Sequence, residues 1–394
     1  MKKQTQAIHL EYERRDAYDS LSVPVYNTLA YEFDNAAVMA EAFTDKIKAP
    51  DYSRVENPTV TNLERRVAAL TDAAHATAFN SGMAAISNTL MALAAQGKNI
   101  VTSKHLFGNT YALLVATLRR FGVKVRLRDL TNIEAVREAI DDDTCCVFLE
   151  ILTNPQLEVA DLKAISEVAH EKNVPLVVDS TVIPFTQFSA KSLGVDIEVV
   201  SSSKYVSGGA TSLGGLVIDY GTPYNGDFAK RLYGEMLFNF GAYMTPQVAY
   251  MQTIGLETLD ARYRVQSSNA LELAKKLRSL PQIKNVNYVG LEDNPYHELA
   301  QRQFGKTAGA MICIDLESKE ACFSFLNNLK LIHRATNLFD NRSLAIHPAS
   351  TIFGAFSESM RKSMDVKDTT IRLSVGLEDV DDLFEDIKQA VNSL

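Results

Sequence analysis

The stretch Ile197-Glu-Val-Val-Ser-Ser-Ser-Lys-Tyr205 is a short apolar run that ends in three hydroxyl groups and a lysine amine. A glycine-rich segment, Gly208-Gly-Ala-Thr-Ser-Leu-Gly-Gly215, follows it at once. We interpret the run as a buried strand that presents Lys204 at its carboxyl end, because its β-branched residues are bounded by turn-forming ones. Comparable short runs recur on both sides of it, and their spacing predicts the fold.

Between Ala74 and Tyr220, β-rich runs alternate with helical patterns, which predicts βαβ units and a mostly parallel sheet. The predicted strands are 76–79, 100–103, 124–127, 145–150, 175–179, 197–201 and 214–219. Capping-box patterns at Thr61-Asn-Leu-Glu64 and Thr131-Asn-Ile-Glu134 predict two helix starts, and Asp161 predicts a third.

A different pattern begins after about Leu256, where a long helical run extends to Ser279. Further strands are predicted at 284–289, 308–316, 343–347 and 370–375, with helices at 319–329 and 380–391. This order predicts a smaller α+β domain. The sequence therefore predicts an α/β protein with an N-terminal arm (1–60), a large sheet domain (61–255) and a C-terminal domain (256–394).

Composition restricts the possible partners and compartments. The 394 residues carry a net charge of -8 and no basic block, so we expect neither nucleic acid nor a membrane surface as a partner. The amino terminus lacks a secretory-type apolar segment and no apolar stretch is long enough to cross a bilayer, so we expect a cytoplasmic protein. The four cysteines show no metal-ligand spacing and no disulfide framework, so we expect no metal.

Three predicted strands end in groups that can do chemistry. Glu150 and Asp179 end two of them, and the third ends in the serines and Lys204. A single acid at a strand end is more often a helix cap, and a single lysine beside glycines is more often solvated. The carboxyl ends of parallel strands meet at one edge of the sheet, where ligands bind, so the three together favour a binding site.

These groups suit pyridoxal phosphate, which needs a lysine for an imine, an anion for its ring nitrogen and a cradle for its phosphate. Lys204 and Asp179 fit the first two roles. The segment Phe79-Asn-Ser-Gly-Met-Ala-Ala85 fits the role of the phosphate cradle, because it passes from strand to helix through a glycine and leaves backbone N–H groups free. Taken alone, this segment is interpreted equally well as a plain helix cap. The chain has neither the dinucleotide-binding nor the P-loop glycine motif.

Several motifs together resemble the trans-sulfuration, or Cys/Met metabolism, group of fold-type-I pyridoxal phosphate enzymes. They are Tyr52-Ser-Arg-Val-Glu-Asn-Pro-Thr59, Ser81-Gly-Met-Ala84, Phe107-Gly-Asn-Thr110, Glu150-Ile-Leu-Thr-Asn-Pro155, Asp179-Ser-Thr181, Ser201-Ser-Ser-Lys-Tyr205, Gly255-Leu-Glu-Thr-Leu259 and Ile371-Arg-Leu-Ser-Val-Gly376. The resemblance covers the chain from about Val23 to the last helix, and it implies that 61–255 binds the cofactor.

The resemblance also implies roles for single residues. Lys204 would hold the cofactor covalently, Asp179 would face its ring nitrogen and Asn154 would bond its ring hydroxyl. The implied phosphate ligands are Gly82, Met83, Ser201 and Ser203, with Tyr52 and Arg54 reaching in from a neighbouring subunit and Tyr52 also assisting catalysis. The protein would therefore be at least a dimer, and usually a dimer of dimers.

The second domain contributes the implied substrate anchor. Arg372 can clamp a carboxylate through two parallel hydrogen bonds, whereas without the resemblance a solvated surface arginine would be favoured. The resemblance makes it the anchor for the α-carboxylate of an amino-acid substrate, helped by the backbone around Asn337 and Leu338.

Within the family, Thr211-Ser-Leu-Gly-Gly215 and Asn337-Leu-Phe-Asp340 are similar to O-acetylhomoserine sulfhydrylases. Cystathionine γ-synthases and lyases usually carry His-Ser-Asp where Ala210-Thr-Ser212 stands, and methionine γ-lyases usually carry cysteine where Asn109 stands. The resemblance implies γ-replacement on O-acetyl-L-homoserine with sulfide or a small thiol, giving homocysteine or methionine and acetate. A γ-elimination lyase on methionine or homocysteine, a cystathionine γ-synthase on an O-acylhomoserine and a non-catalytic binding protein remain as alternatives.

The main departure from the family pattern is Phe107, where the family normally has a tyrosine that stacks on the cofactor and assists proton movement at the leaving group. Phenylalanine keeps the stacking face and lacks the hydroxyl. Because acetate leaves with little acid help, we expect this change to be tolerated better in O-acyl chemistry than in thioether cleavage.

Overall fold

The computed structural model describes residues 1–10, 16–44 and 46–394, so residues 11–15 and 45 of the predicted arm lie outside the description. Its larger sheet has seven strands in the order β1-β7-β6-β5-β4-β2-β3, and only β7 runs against its neighbours. The strands are β1 (His75–Phe79), β2 (Asn99–Ser103), β3 (Lys124–Arg128), β4 (Thr144–Glu150), β5 (Leu176–Asp179), β6 (Ile197–Val200) and β7 (Gly215–Asp219). The predicted mostly parallel sheet is confirmed.

A second sheet of five strands follows later in the chain, in the order β10-β11-β12-β9-β8. Its strands are β8 (Asn285–Asn287), β9 (Met311–Asp315), β10 (His333–Arg334), β11 (Leu344–Ile346) and β12 (Thr370–Ser374). All neighbours pair antiparallel except β10 and β11. The predicted α/β class with a second α+β region is confirmed, whereas the exact domain limits stay a prediction.

Helices cover the larger sheet and surround the smaller one. They are α1 (Lys3–His9), α2 (Ala36–Ala42), α3 (Pro58–Thr71), α4 (Gly82–Leu93), α5 (Gly108–Ala112), α6 (Ile133–Ala139), α7 (Leu162–His170), α8 (Phe228–Arg231), α9 (Phe238–Phe240), α10 (Pro246–Glu257), α11 (Leu259–Leu277), α12 (His297–Phe304), α13 (Lys319–Asn328), α14 (Glu358–Ser363) and α15 (Val380–Val391). Leu113–Thr117 and Leu232–Leu237 form π-helical turns, and short 3₁₀ turns lie at Leu118–Phe121, Lys191–Leu193, Tyr205–Ser207, Pro223–Asn225 and Pro348–Ser350. No helix in the described ranges is both long enough and apolar enough to traverse a bilayer.

Alternate residues of the central strands are buried on opposite faces of the sheet. In β4, Cys146 and Phe148 pack with α4, whereas Val147 and Leu149 pack into the core on the other face. A strand that is covered on both faces has a continuous run of apolar residues. Such runs are easy to recognise, so the sequence predicted these central strands well. Two layers of helices around one sheet fix the strand ends rigidly, and those ends carry the candidate site.

Several predicted helix limits are wrong. The capping box at Thr61 does not start a helix, because α3 begins at Pro58 with Asn57 as its cap. The start at Thr131 lies one residue too early, since Asn132 caps α6. Asp161 caps α7 as predicted, and its side chain accepts a hydrogen bond from the Ala164 N–H at 3.1 Å.

Candidate active site

One cavity of about 530 Å³ opens where β4, β5 and β6 end. Its lining includes Glu150 from β4, Asp179 from β5 and Lys204 from just beyond β6. The full lining is Ser81, Gly82, Met83, Ile86, Phe107, Asn109, Glu150, Asn154, Asp179, Thr181, Val182, Ser201, Ser203, Lys204, Leu213, Thr336, Asn337, Leu338, Thr351, Ile352 and Arg372. The two acids and the amine that the sequence singled out therefore share one wall.

The Lys204 amine is held by the second half of the chain. Its Nζ donates a hydrogen bond to Asn337 Oδ1 at 2.7 Å. Burial, and secondarily the positive charge of Arg372, lower the pKa of Lys204 to about 8. A lysine with this pKa is partly neutral near physiological pH, which suits it to act as a nucleophile and as a base.

Asp179 and Glu150 form a carboxyl pair on neighbouring parallel strands, where they lie opposite each other in register. Burial raises the pKa of Asp179, while hydrogen bonds from Thr181, including its N–H at 2.9 Å, act in the other direction. Burial and then the Asp179 charge raise the pKa of Glu150 well above its usual range. The two carboxyl groups therefore titrate together, and the state in which the pair carries one negative charge is strongly favoured.

Arg372 lies in β12, and its side chain is 3% exposed. Its guanidinium donates to Asn154 Oδ1 at 3.2 Å and to the Asn337 carbonyl at 3.1 Å. Burial lowers the pKa of Arg372 to about 10. Its Nε has no hydrogen-bond partner among the described residues, and no carboxylate in the same ranges forms an ion pair with it. A buried cation with spare donors at a cavity wall is suited to an anionic ligand.

The N-terminus of α4 faces the end of β6 at very close range. A Cβ atom added to Gly82 would lie 2.5 Å from Ser201 Cβ, so only glycine fits there. Ser81 caps the helix by accepting the Ala84 N–H at 3.1 Å, and the first N–H groups of α4 then point toward the cavity edge. The dipole of this twelve-residue helix makes the edge favourable for a phosphate.

The two predicted phosphate-binding serines differ in their surroundings. The Ser201 N–H donates to Thr181 Oγ1 at 2.8 Å, which leaves its own hydroxyl at the cavity. The Ser203 hydroxyl instead donates to the Gly214 carbonyl at 3.1 Å and accepts the Gly214 N–H at 2.9 Å. Ser203 thus also closes the glycine-rich loop behind Lys204.

Phe107 lies on a loop that is anchored on both sides. Its N–H donates to Glu150 Oε1 at 2.5 Å. The neighbouring His105 contacts Glu158 at 2.5 Å and Asp365 at 2.8 Å. These contacts hold the Phe107 ring at the cavity wall and tie its loop to the segment that follows α14.

Tyr52 and Arg54 lie outside the cavity of their own chain. Tyr52 is 40% exposed, and Arg54 donates to the Phe238 carbonyl at 2.6 Å. The Arg54 guanidinium carbon lies 5.4 Å from the centre of the Tyr52 ring. This surface position is compatible with the expectation that the two residues act on a neighbouring subunit, which stays a prediction.

The structure thus brings most of the predicted site residues to one cavity and leaves Tyr52 and Arg54 apart from it. Those at the cavity are Gly82, Met83, Phe107, Asn154, Asp179, Ser201, Ser203, Lys204, Asn337, Leu338 and Arg372. Sequence reasoning did not assign Thr181, Thr351 or Ile352 to the site. Thr181 follows the end of β5 by two residues and could have been found from that position, whereas Thr351 and Ile352 carry no comparable signal. The described residues contain no group of His, Cys, Asp and Glu that could hold a metal ion.

Comparisons with known proteins agree with this geometry. Residues 4–392 match the model of the family described as Cys/Met metabolism PLP-dependent enzyme. The chain is 37% identical to an L-methionine gamma-lyase of Fusobacterium nucleatum subsp. polymorphum over 99% of this chain and 98% of that protein. It is 32% identical to an O-acetyl-L-homoserine sulfhydrylase of Corynebacterium glutamicum, over 98% and 95% of the two chains.

A solved structure extends the agreement to the whole fold. A provisionally assigned O-acetylhomoserine (thiol)-lyase from Campylobacter jejuni is 35% identical and superposes with a TM-score of 0.95 over all of both chains. That crystal structure contains an N'-pyridoxyl-lysine-5'-monophosphate residue. The chain therefore belongs to the Cys/Met metabolism family of pyridoxal phosphate-dependent enzymes.

Proposed function

We propose that the protein transfers the aminocarboxypropyl group of O-acetyl-L-homoserine to sulfide or a small thiol, releasing acetate. The observation that carries this choice is Phe107 at the cavity wall. Among the described lining residues only Glu150, Asp179, Lys204 and Arg372 titrate, and none of them is a tyrosine, histidine or cysteine. The chain's own cavity lining therefore offers no phenol, imidazole or thiol beside Phe107 to protonate a departing group.

The acidity of the two possible leaving groups supports this choice. A carboxylic acid has a pKa of about 4 and a thiol a pKa of about 8.5, so acetate is the more stable anion near neutral pH. A thiolate expelled from methionine gains more from an acid at the position where Phe107 has only a ring. Replacement on an acetyl ester is thus less affected by the missing hydroxyl than thioether cleavage is.

We further propose that the cofactor lies in this cavity with its phosphate at the N-terminus of α4. The close approach of Gly82 to Ser201 supports this placement, because it brings the first residues of α4 and the Ser201 hydroxyl together at the cavity lining. Asn154 and Asp179 would contact the ring, with Asp179 keeping its nitrogen protonated. When bound, pyridoxal phosphate supplies the electron sink for carbanion chemistry.

The protein residues then bind the substrate and move its protons. Arg372 pairs with the α-carboxylate, which gives its unpartnered Nε a hydrogen-bond acceptor. The Lys204 amine, positioned by Asn337, removes the Cα proton and then the Cβ proton of the substrate. Leu338 and Phe107 contribute apolar surface to the lining of the same cavity.

The charge of the cavity also favours an acetyl over a succinyl ester. Lys204 and Arg372 are the cations at its described lining, and Arg372 is committed to the α-carboxylate. A succinyl group, or a cysteine nucleophile as in cystathionine synthesis, brings a further carboxylate that needs its own partner. An acetyl ester and hydrosulfide bring none.

A second candidate is γ-elimination on methionine, and the 37% identity to an L-methionine gamma-lyase supports it. One assay separates the two. The purified protein is given O-acetyl- or O-succinyl-homoserine, with and without sulfide, and methionine alone, and thiol product and 2-oxo acid are measured together.

We expect sulfide-dependent homocysteine formation from the acetyl ester and little 2-oxo acid from methionine. Rapid 2-oxo acid release from methionine without added thiol would instead favour the lyase. The matched control is Lys204→Ala, which should abolish both reactions.

A further inference from the structure

Glu150 and Asp179 are two buried acids that lie side by side, and the proposed reaction needs a negative charge on only one of them. Their strands pair so that the two residues lie directly opposite, and both line the same cavity. Neither forms an ion pair within the described ranges. Two carboxylates that share a buried site cannot both ionise at moderate cost, so one of them holds a proton.

Both carboxyls accept hydrogen bonds, and the role proposed for Asp179 at the cofactor ring nitrogen decides which member keeps the charge. Asp179 receives bonds from Thr181, including the backbone N–H at 2.9 Å, and these favour its ionised form. Burial and the neighbouring Asp179 charge both raise the pKa of Glu150, and the raise is large despite backbone N–H bonds from Phe107 and Asn154. A protonated carboxyl still has a carbonyl oxygen that accepts such bonds.

A third buried acid, Glu198 on β6, also interacts with Asp179: burial and, to a smaller extent, the Asp179 charge raise the pKa of Glu198, whose carboxyl accepts the Tyr220 hydroxyl at 2.6 Å. Lys204 and Arg372 line the same cavity, but neither lies within ion-pair distance of Glu150. His105, on the far side of the Phe107 loop, is already occupied by Glu158 and Asp365.

We propose that Glu150 is a positioning residue that stays protonated beside Asp179, keeps the single negative charge of the pair on Asp179, and anchors the backbone of Phe107 at the cavity wall. The proposal rests on the placement of pyridoxal phosphate argued above and does not depend on the choice of substrate. It explains how this chain can keep a second buried acid beside the anion proposed for the cofactor ring.

The test compares Glu150→Gln with the wild-type holoenzyme. Infrared spectra near neutral pH should contain a carbonyl stretch of a protonated carboxyl that is lost in Glu150→Gln. The pH midpoint of the visible absorbance of the bound cofactor should stay within about half a unit of the wild-type value, because a neutral amide replaces a neutral acid. Neither measurement needs a substrate. A negative result here would therefore contradict the role of Glu150 without contradicting the proposed sulfhydrylase activity, and the reverse also holds.

Two further variants keep the test decisive. Glu150→Leu removes the acceptor for the Phe107 N–H, and we expect the cofactor Kd to rise about fivefold with the midpoint still in place. Glu64→Gln is a matched control, since Glu64 is half-buried, has a pKa raised to about 8 by desolvation and accepts the Ala78 N–H outside the active-site cavity. It should lose a carboxyl band and leave the cofactor spectrum as it is.

The proposal is overturned if Glu150→Gln loses no carboxyl band. It is also overturned if the midpoint in Glu150→Gln moves by more than about one pH unit, because Glu150 would then carry charge. An unchanged cofactor Kd in Glu150→Leu overturns the anchoring role.

Discussion

At the scale of single residues, the environment of Lys204 predicts a pH dependence of cofactor capture. An imine forms only from the neutral amine, and the pKa of Lys204 is lowered to about 8. We expect the rate at which the apoenzyme gains visible absorbance on mixing with pyridoxal phosphate to rise with pH through a midpoint near that value. Removing the positive charge in Arg372→Gln should move the midpoint to higher pH.

The same shift predicts a trend in stability. In the unfolded chain Lys204 loses its proton at the ordinary pKa of 10.5, whereas in the folded apoenzyme it loses the proton near pH 8. This group therefore makes the free energy of unfolding larger as pH rises between these two values.

The cofactor-capture experiment would contradict the assignment if the wild-type midpoint lay near pH 10.5, or if the midpoint moved to lower pH in Arg372→Gln.

Phe107 gives a second prediction for a single residue. We expect Phe107→Tyr to raise 2-oxo acid release from methionine by on the order of tenfold, because the new hydroxyl can protonate a departing thiolate. Turnover of O-acetylhomoserine with sulfide should change by less than about threefold, since acetate needs little acid help. Both rates are measured on the same preparations, with Phe107→Leu as the control for loss of the ring. Equal changes in the two reactions would remove the argument from leaving-group acidity.

How far the sequence predicted the site depends on where each residue lies in the fold. Lys204 and Asp179 could be placed together from residue patterns alone, because parallel strands bring their carboxyl ends to one edge. Arg372 arrives from β12 in the other sheet, and only the family resemblance pointed to it. Thr351 and Ile352 reach the cavity through packing of distant segments, and no local pattern encodes such a contact.

At the scale of elements, the contact between α4 and β6 predicts a strong effect of one methyl group. In Gly82→Ala the new Cβ would lie 2.5 Å from Ser201 Cβ and 2.7 Å from its hydroxyl, so the helix start must shift away from the strand end. We expect the free energy of unfolding to fall by about 1–3 kcal/mol and the cofactor Kd to rise by at least about tenfold. Denaturant unfolding of the apoenzyme and cofactor titration measure the two effects separately.

Gly234→Ala is the matched control, because no atom lies within 4 Å of a Cβ at that position. Its free energy of unfolding should not fall and should rise by up to about 1 kcal/mol, because Ala favours a helical backbone over Gly. If Gly82→Ala binds the cofactor as tightly as this control, the N-terminus of α4 is not the phosphate site.

Strands and helix starts differ in how well the sequence predicted them. The seven strands of the larger sheet were predicted to within one residue at each end. Burial on both faces makes the central strands sharply bounded apolar runs, whereas the edge strand β3 is only partly buried and alternates charged with apolar residues. Helix starts were less certain, since Thr61-Asn-Leu-Glu64 fits a capping box while Asn57 and Pro58 four residues earlier form the actual start. Local patterns compete at helix ends, and here the Glu64 side chain, which a capping box would need, instead accepts the Ala78 N–H.

At the scale of the whole molecule, the exposed residues of the arm suggest that the site is completed by a second copy of the chain. Large apolar side chains are exposed there, including Leu21 at 89%, Leu29 at 64% and Phe43 at 59%. Exposed apolar side chains of this size are ones that a subunit interface can cover. Tyr52 and Arg54 follow in the same segment and lie outside their own cavity. We therefore expect these two residues to act across the interface, on the phosphate held by the partner.

Mixing two inactive variants tests this expectation. Lys204→Ala lacks the amine and Arg54→Ala lacks the arm cation, so each alone should have little activity. If Arg54 acts across the interface, a mixed dimer contains one site with both wild-type groups and one with neither. Random reassembly of equal amounts should then restore about a quarter of the wild-type activity, because half of the dimers are mixed and each has one intact site. Activity is measured after the variants are dissociated together and reassembled, with separately reassembled variants as the control. If Arg54 instead served its own chain, no combination of subunits would unite the two groups, and the mixture would stay as inactive as its components.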